Sequence, residues 1–343
     1  MKKKLKDLLD YEQPTKYIVE TENYSDEYKL PVLTAGKSFV LGYTNETEGV
    51  FKGKNEPVII FDDFTRDTKY VDFDFKVKSS AMKILHKHNK DDSLKYLHYA
   101  LNNIKYVPFS HKRLWISDFS NMEIDYPSPD IQNTIATELD TIQSAIDTKK
   151  QQLSLLDEAV KSEFVEMFGE NPVESGKWKV AKWADKVRIT NGRDYKKLVV
   201  KTGLYPVYGS GGDMGIRVDD YLCSENTVII GRKGNIDKPI FVKEKFWNVD
   251  TAFGLNVDES EINPYYFFEH SKKYNYRSMD TGVTIPSLTK TALFELKLAI
   301  PPLDLQNQFA AFVQQIDKSK FVVKQQIADL EELLDSKMQQ YFA

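Results

Sequence analysis

Apolar residues follow two different rhythms along this chain. Over residues 130–168 they step by three and four, at Ile135, Leu139, Ile142, Ile146, Leu153, Leu156 and Val160, with Lys149 alone interrupting. That period is the seam of a coiled coil. It returns over residues 304–342, at Phe309, Val313, Ile316, Lys320, Val323, Ile327, Leu330 and Leu334. The two stretches align without a gap: Pro127 falls on Pro301, Asp130 on Asp304, Gln132 on Gln306 and Phe168 on Phe342. Each predicts a helix roughly 58 Å long. A rod of that length cannot bury its stripe alone, and its twin is the obvious partner. Pro127, Pro301 and Pro302 stop the preceding strands, and Asp130 and Asp304 are expected as N-caps at the positive helix ends.

Before each helix the rhythm is that of short strands. Runs at 58–61, 70–75, 228–230, 239–242 and 296–300 are β-branched or aromatic and bounded by turn residues. These stretches repeat as well. "LPVLTAGK" at 30–37 resembles "YPVYGSGG" at 205–212, and "PVIIFDDFTRDTKYV" at 57–71 resembles "TVIIGRKGNIDKPIF" at 227–241. One modest helix is expected per copy, at 91–104 behind Asp and Ser caps and at 263–274 with Pro264 in its first position. The expected fold is α+β with curved, mostly β sheets. The order is a globular domain at 1–126, a helix at 127–169, a polar linker at 170–177, a second domain at 178–300 and a closing helix at 301–343.

Bulk composition narrows the setting. The chain has 343 residues, 41% hydrophobic and 13% aromatic, enough for two cores. One cysteine, Cys223, excludes an internal disulfide and fits a reducing cytoplasm, where a small buried thiol is expected. No run approaches the roughly 20 apolar residues of a membrane span. The net charge of -4 does not exclude DNA, since the placement of the cations decides.

"GSGGDMG" at 209–215 could pass for a cofactor loop, and "NPYY" at 263–266 for an adenine-methylase tetrapeptide. The first continues into turn and strand rather than helix, and the second lacks its second proline and reads as a helix start. The acids of "FDDFTRDTK" at 61–69 could hold Mg²⁺, but the other copy keeps only one acid there. His86 and His88 lack a third ligand nearby and read as surface histidines. No cofactor or metal is expected.

What remains is basic and polar residues on loops. "IIGRKGNIDKP" carries Arg232, Lys233, Asn235 and Lys238 on a glycine-bounded loop after a strand. Glycine admits close approach to a phosphate, Arg can read guanine and Asn adenine. The equivalent loop of the first copy carries Thr65, Arg66 and Lys69. "TNGRDYKK" adds Arg193, Lys196 and Lys197, and "TIPSLTK" adds Ser287, Thr289 and Lys290. Two similar modules on a rigid spacer suit a two-part DNA target.

The combination resembles the DNA-specificity subunit of Type I restriction-modification systems over nearly the whole chain. The residues that carry it are "PPLDLQNQF" with its long helix, "VIIGRKGNIDKP", "GVTIPSLTK" and, in the first copy, "VIIFDDFTRDTKYVDFDFKVKSSAMKIL". The resemblance implies two target recognition domains, each reading one half of a bipartite site in double-stranded DNA. It implies two long helices packed antiparallel in a pseudo-twofold arrangement, which set the spacing between the halves. Two methylation subunits would dock there, restriction subunits would join, and no residue of this chain would be catalytic. The alternatives are a specificity partner of a Type II restriction-methylation enzyme and a coiled-coil scaffold whose domains bind protein.

Overall fold

The computed structural model describes residues 1–35, 38–105 and 113–342, so the end of the 30–37 repeat lies outside the described residues. The chain forms two compact units. One comprises Met1–Lys149 with the chain from Gln326 onward, the other Lys150–Gln325.

In the first unit, β1 (Lys2–Lys4) pairs antiparallel with β9 (Glu123–Asp125). A four-stranded antiparallel sheet is ordered β2 (Leu9–Glu12), β8 (Met82–Lys87), β5 (Val58–Asp62), β6 (Thr68–Val71). A three-stranded sheet is ordered β4 (Val40–Thr44), β3 (Leu30–Leu33), β7 (Lys76–Val77), with β3 and β7 parallel. Helix α1 (Leu94–Asn103) follows β8, and α2 (Pro129–Phe168) follows β9. Strand β5 is buried on both faces. Its alternation sends Ile59 and Phe61 towards α1 and the start of α2, and Val58 and Ile60 towards the three-stranded sheet. The expected strand at 70–75 is split. Residues up to Val71 pair with β5, and Phe75 then bridges Phe51 as the chain crosses to the other sheet.

The second unit repeats this order strand for strand. The ribbon is β10 (Lys179–Lys182) with β18 (Lys297–Ile300). The four-stranded sheet is β11 (Val187–Asn191), β17 (Ala252–Val257), β14 (Thr227–Gly231), β15 (Ile240–Val242). The three-stranded sheet is β13 (Gly212–Val218), β12 (Tyr205–Gly209), β16 (Trp247–Asn248), again with its last pair parallel. Helix α3 (Pro264–Ser271) starts at Pro264 behind the Asn263 cap, as its sequence predicts, and α4 (Leu303–Phe342) closes the chain. The fold is α+β, with two similar modules of curved, mostly β sheets and two long helices.

The long helices each contribute to both units. In the second unit Asp157 pairs with Lys320 at 2.5 Å and Phe164 packs on Phe309 at 5.5 Å between ring centroids. The partner number falls as the α2 number rises, so the segments run antiparallel. In the first unit Glu138 meets Lys337 at 2.6 Å and also accepts from Tyr341. The seam residues Ile135, Leu139, Ile142, Ile146, Val160, Phe309, Val313, Val323 and Ile327 are buried. Lys320, which interrupts the second seam, turns its ammonium to Asp157. Asp130 and Asp304 are not the N-caps. The first helical bonds are accepted by the carbonyls of Ser128 and Pro302, which places both acids inside the first turn, still at the positive end.

Candidate nucleic-acid interface

In the second unit β14 ends at Gly231, where the chain folds back so tightly that a Cβ would lie 2.1 Å from the Asn235 carbonyl oxygen. Only glycine fits there. The following loop has its backbone bonds met from three sides. The Arg232 and Lys233 N–H groups both donate to the Thr251 carbonyl, at 2.8 and 3.1 Å. Gly234, at φ +83°, donates to the Pro286 carbonyl at 2.9 Å, and Leu288 N–H donates to the Arg232 carbonyl at 2.9 Å. Ile236 is buried beneath the loop. The side chains of Arg232, Lys233, Asn235 and Lys238 are exposed. The Arg232 guanidinium lies 5.9 Å from the Phe253 ring centroid.

Arg193 joins the same surface. Its N–H donates to the Asn248 carbonyl at 3.0 Å, and its carbonyl accepts from Trp247 Nε1 at 2.9 Å. Thus Arg193, Arg232 and Lys233 stand on loops that meet around the turn after β16. Ser287 bridges Lys233 across the loops, with its hydroxyl donating to the Ile285 carbonyl at 3.0 Å. Lys196 and Lys197 lie on the single turn Lys196–Leu198, farther along the chain from Arg193. Thr289 spends its hydroxyl as the cap of the turn Lys290–Phe294, accepting from Ala292 N–H at 3.2 Å, and Lys290 lies over the Phe294 ring.

The platform below depends on a buried asparagine that belongs to no recognisable motif. Asn248 is fully buried; its Nδ2 donates to the Ala252 carbonyl at 3.1 Å and its Oδ1 accepts from the Cys223 thiol at 3.3 Å. Burial pushes that thiol up to about 12. Asparagine in a "WNVD" turn gives no sequence signal beyond an ordinary loop.

In the first unit the corresponding turn is built by acids. Asp62 accepts from the Phe64 and Thr65 N–H groups at 2.8 and 3.2 Å and from the Thr65 hydroxyl at 2.6 Å. Arg66 adopts φ 66° and donates to the Ile104 carbonyl at 3.1 Å. Lys69 is exposed on β6. Asp63 is buried with its Oδ2 3.2 Å from Lys83 Nζ. Both carboxylates are therefore committed to the fold. His86 lies between Glu12 and Glu56, whereas His88 faces Asp10, so each histidine has its own acidic neighbours. Among the described residues no group of three or more His, Cys, Asp or Glu is placed to hold a metal ion. None of the described helices is long and apolar enough to cross a membrane.

Comparison with known proteins places this surface in context. The family profile described as Type I restriction modification DNA specificity domain matches residues 1–158 and again 175–332. A Type I restriction enzyme specificity subunit of Escherichia coli is 52% identical over 129 residues, 37% of this chain. The match spans 32% of that relative, about a third of its length. The crystal structure of the Type I restriction-modification S subunit from M. genitalium superposes with a TM-score of 0.66, at 17% identity, over 100% of this chain and 96% of that one. A chain from a structure on complex assembly and conformational transition of the type I R-M system superposes with a TM-score of 0.52, at 12% identity, covering 99% and 98%. At those identities the two structures are similar in fold.

Proposed function

Because the chain belongs to the Type I restriction-modification DNA specificity domain family, we propose that it is the sequence-reading subunit of such a system. Each module reads one half of a bipartite site in double-stranded DNA. The long helices carry the spacing between the halves and dock two methylation subunits; restriction subunits complete the assembly in the cytoplasm. The chain itself carries no chemistry and needs no cofactor. Arg66 and Lys69 serve the first half-site; Arg193, Arg232, Lys233 and Asn235 serve the second.

One observation carries this reading. The same strand order occurs twice, and the segment after the equivalent central strand differs in side chains between the copies: Thr65 and Arg66 on the turn after β5 with Lys69 on β6, and Arg232, Lys233, Asn235 and Lys238 after β14. Two readers built alike but facing different bases must diverge at the reading loop and keep the scaffold. Arginine paired with guanine contributes about 1–3 kcal/mol of discrimination.

The test is a map of methylated adenines in cells carrying the native chain, Arg232→Ala and a deletion. The native chain should give one motif of two fixed halves around a non-specific gap. Arg232→Ala should relax one half and leave the other intact. A methylation map that is unaltered by deleting the chain would end this reading.

A further inference from the structure

The segment between Asp280 and Leu288 is a clamped loop with an apolar tip. One oxygen of Asp280 accepts from two backbone groups, Gly282 N–H at 2.8 Å and Ser287 N–H at 2.7 Å. These bonds hold the Asp280 carboxyl below the usual carboxylate range. Thr281 N–H closes the base on the Ser287 carbonyl at 2.9 Å. Gly282 lets the chain turn back on itself, since a Cβ there would meet the Ile285 carbonyl oxygen at 1.9 Å. The tip beyond this clamp projects Val283, which is fully exposed, and Ile285, which is 56% exposed. The base of the loop is joined to the cationic loop after β14 by the Gly234–Pro286 and Leu288–Arg232 bonds.

Scattered apolar residues on a surface are ordinary. This pair differs because its backbone is fixed before any partner arrives, so little ordering entropy is left to lose on contact. The neighbours also define the partner. Exposed Arg232 and Lys233 stand on the adjoining loop, which suits a polyanion rather than an apolar protein face. A duplex offers apolar surface only at its bases, as thymine methyls in the major groove or as stacked faces opened by a wedge.

We infer that Val283 and Ile285 make an uncharged contact with DNA bases, beside phosphate and base contacts from Arg232 and Lys233. This rests on the DNA-reading function proposed above. The corresponding stretch of the first module, 106–112, lies outside the described residues.

The test uses the full chain, together with any subunits that remain bound on purification, and duplexes that the native protein selects from a random pool. Affinity is measured across a salt series for the native protein, V283S/I285S and R232A. The tip substitutions are on the surface and leave every clamp bond in place. V283S/I285S should bind roughly tenfold more weakly at every salt concentration with the slope of log affinity against log salt unchanged, whereas R232A should flatten that slope. Replacing thymine by deoxyuridine in the selected site separates the two base surfaces. If the replacement weakens the native protein and not V283S/I285S, the contact is to a methyl group. If V283S/I285S is tenfold weaker but neither protein senses the replacement, the contact is to the stack. Binding by V283S/I285S within twofold of native, on a duplex the native protein does select, overturns the tip contact and leaves the DNA-reading function standing. A native protein that selects no sequence and shows no salt slope overturns both.

Discussion

Gln306 accepts the backbone N–H of Asn263 at 2.8 Å while its own amide donates to the Pro301 carbonyl at 2.8 Å. Its counterpart Gln132 accepts the Ser93 N–H at 3.0 Å and donates to the Pro127 carbonyl at 3.0 Å. Both glutamines are fully buried. Each therefore ties the first turn of a long helix to the N-cap residue of a module helix and to the proline between them. The latch has a second part. Tyr96 donates to the Asp125 carbonyl at 2.7 Å, and its counterpart Tyr266 to the Ala299 carbonyl at 2.9 Å. The far end of the other helix completes each module: Phe342 packs on Tyr96 at 5.3 Å, and Phe168 on Tyr266 at 4.7 Å.

Gln306→Leu keeps the volume but leaves the Asn263 N–H and the Pro301 carbonyl buried without partners. Each such group costs about 1–3 kcal/mol, so with two of them stranded the second unit should lose about 2–6 kcal/mol. Trp178, Trp183 and Trp247 all lie in that unit and Trp115 in the other, so fluorescence-monitored urea unfolding reports mainly on it. A midpoint equal to native would show that water or a local shift satisfies those groups.

The ion pair of Lys83 with Asp63 is expected to behave asymmetrically. Asp63 also accepts the Trp115 N–H at 2.9 Å, so it is fixed in place. Lys83→Met should destabilise the first unit by about 3–5 kcal/mol, because it strands a buried charge. The double substitution Lys83→Met with Asp63→Leu should recover part of that loss. If the double variant is weaker than the single one, the Asp63 bond to Trp115 outweighs the charge.

Much of this architecture could be read from residue patterns, and the parts that could not share one cause. The duplication and the long helices are written in periodicity, a local property. The parallel pairing of β3 with β7 joins segments more than 40 residues apart and leaves no local trace. The loop after β14 stands out in the sequence by its glycines and cations, but its union with the 280–288 segment arises only from tertiary hydrogen bonds. Hydroxyl residues were the hardest to assign. Thr65 and Thr289 both carry groups that could face DNA, and both use them to close their own turns. Val283 and Ile285 are apolar, and a search for polar readers passes over them.

His270 should make the second unit sensitive to acid. It is buried against Phe164, Tyr266 and Tyr274, and its Nδ1 has no hydrogen-bond partner among the described residues. Burial pulls its pKa down to about 4. The unfolded chain titrates near 6.5. Below about pH 6.5 the unfolded state therefore takes up a proton that the native state refuses, and stability falls as pH drops towards 4. The stabilisation is full above 6.5, and its loss can reach about 3 kcal/mol. His270→Leu should flatten stability against pH between 6.5 and 4, whatever its absolute value. An unchanged slope would assign the acid sensitivity to other groups.

The proposed spacing role of the helices gives the most direct genetic test. Both α2 and α4 are unbroken through residues assigned to both units, and their seams match in register. Four residues are close to one helical turn, so inserting four after Lys149 and four after Val323 lengthens each helix by roughly 6 Å with little rotation of the seam. At about 3.4 Å per base pair, that corresponds to one or two base pairs of duplex. Cells carrying the doubly inserted chain should methylate the same two half-sites with the non-specific gap widened by one or two. A single insertion should instead weaken the protein, because it slips one seam against the other. If the double insertion leaves a functional protein with an unaltered gap, or changes a half-site while the gap stays fixed, the helices do not set the spacing.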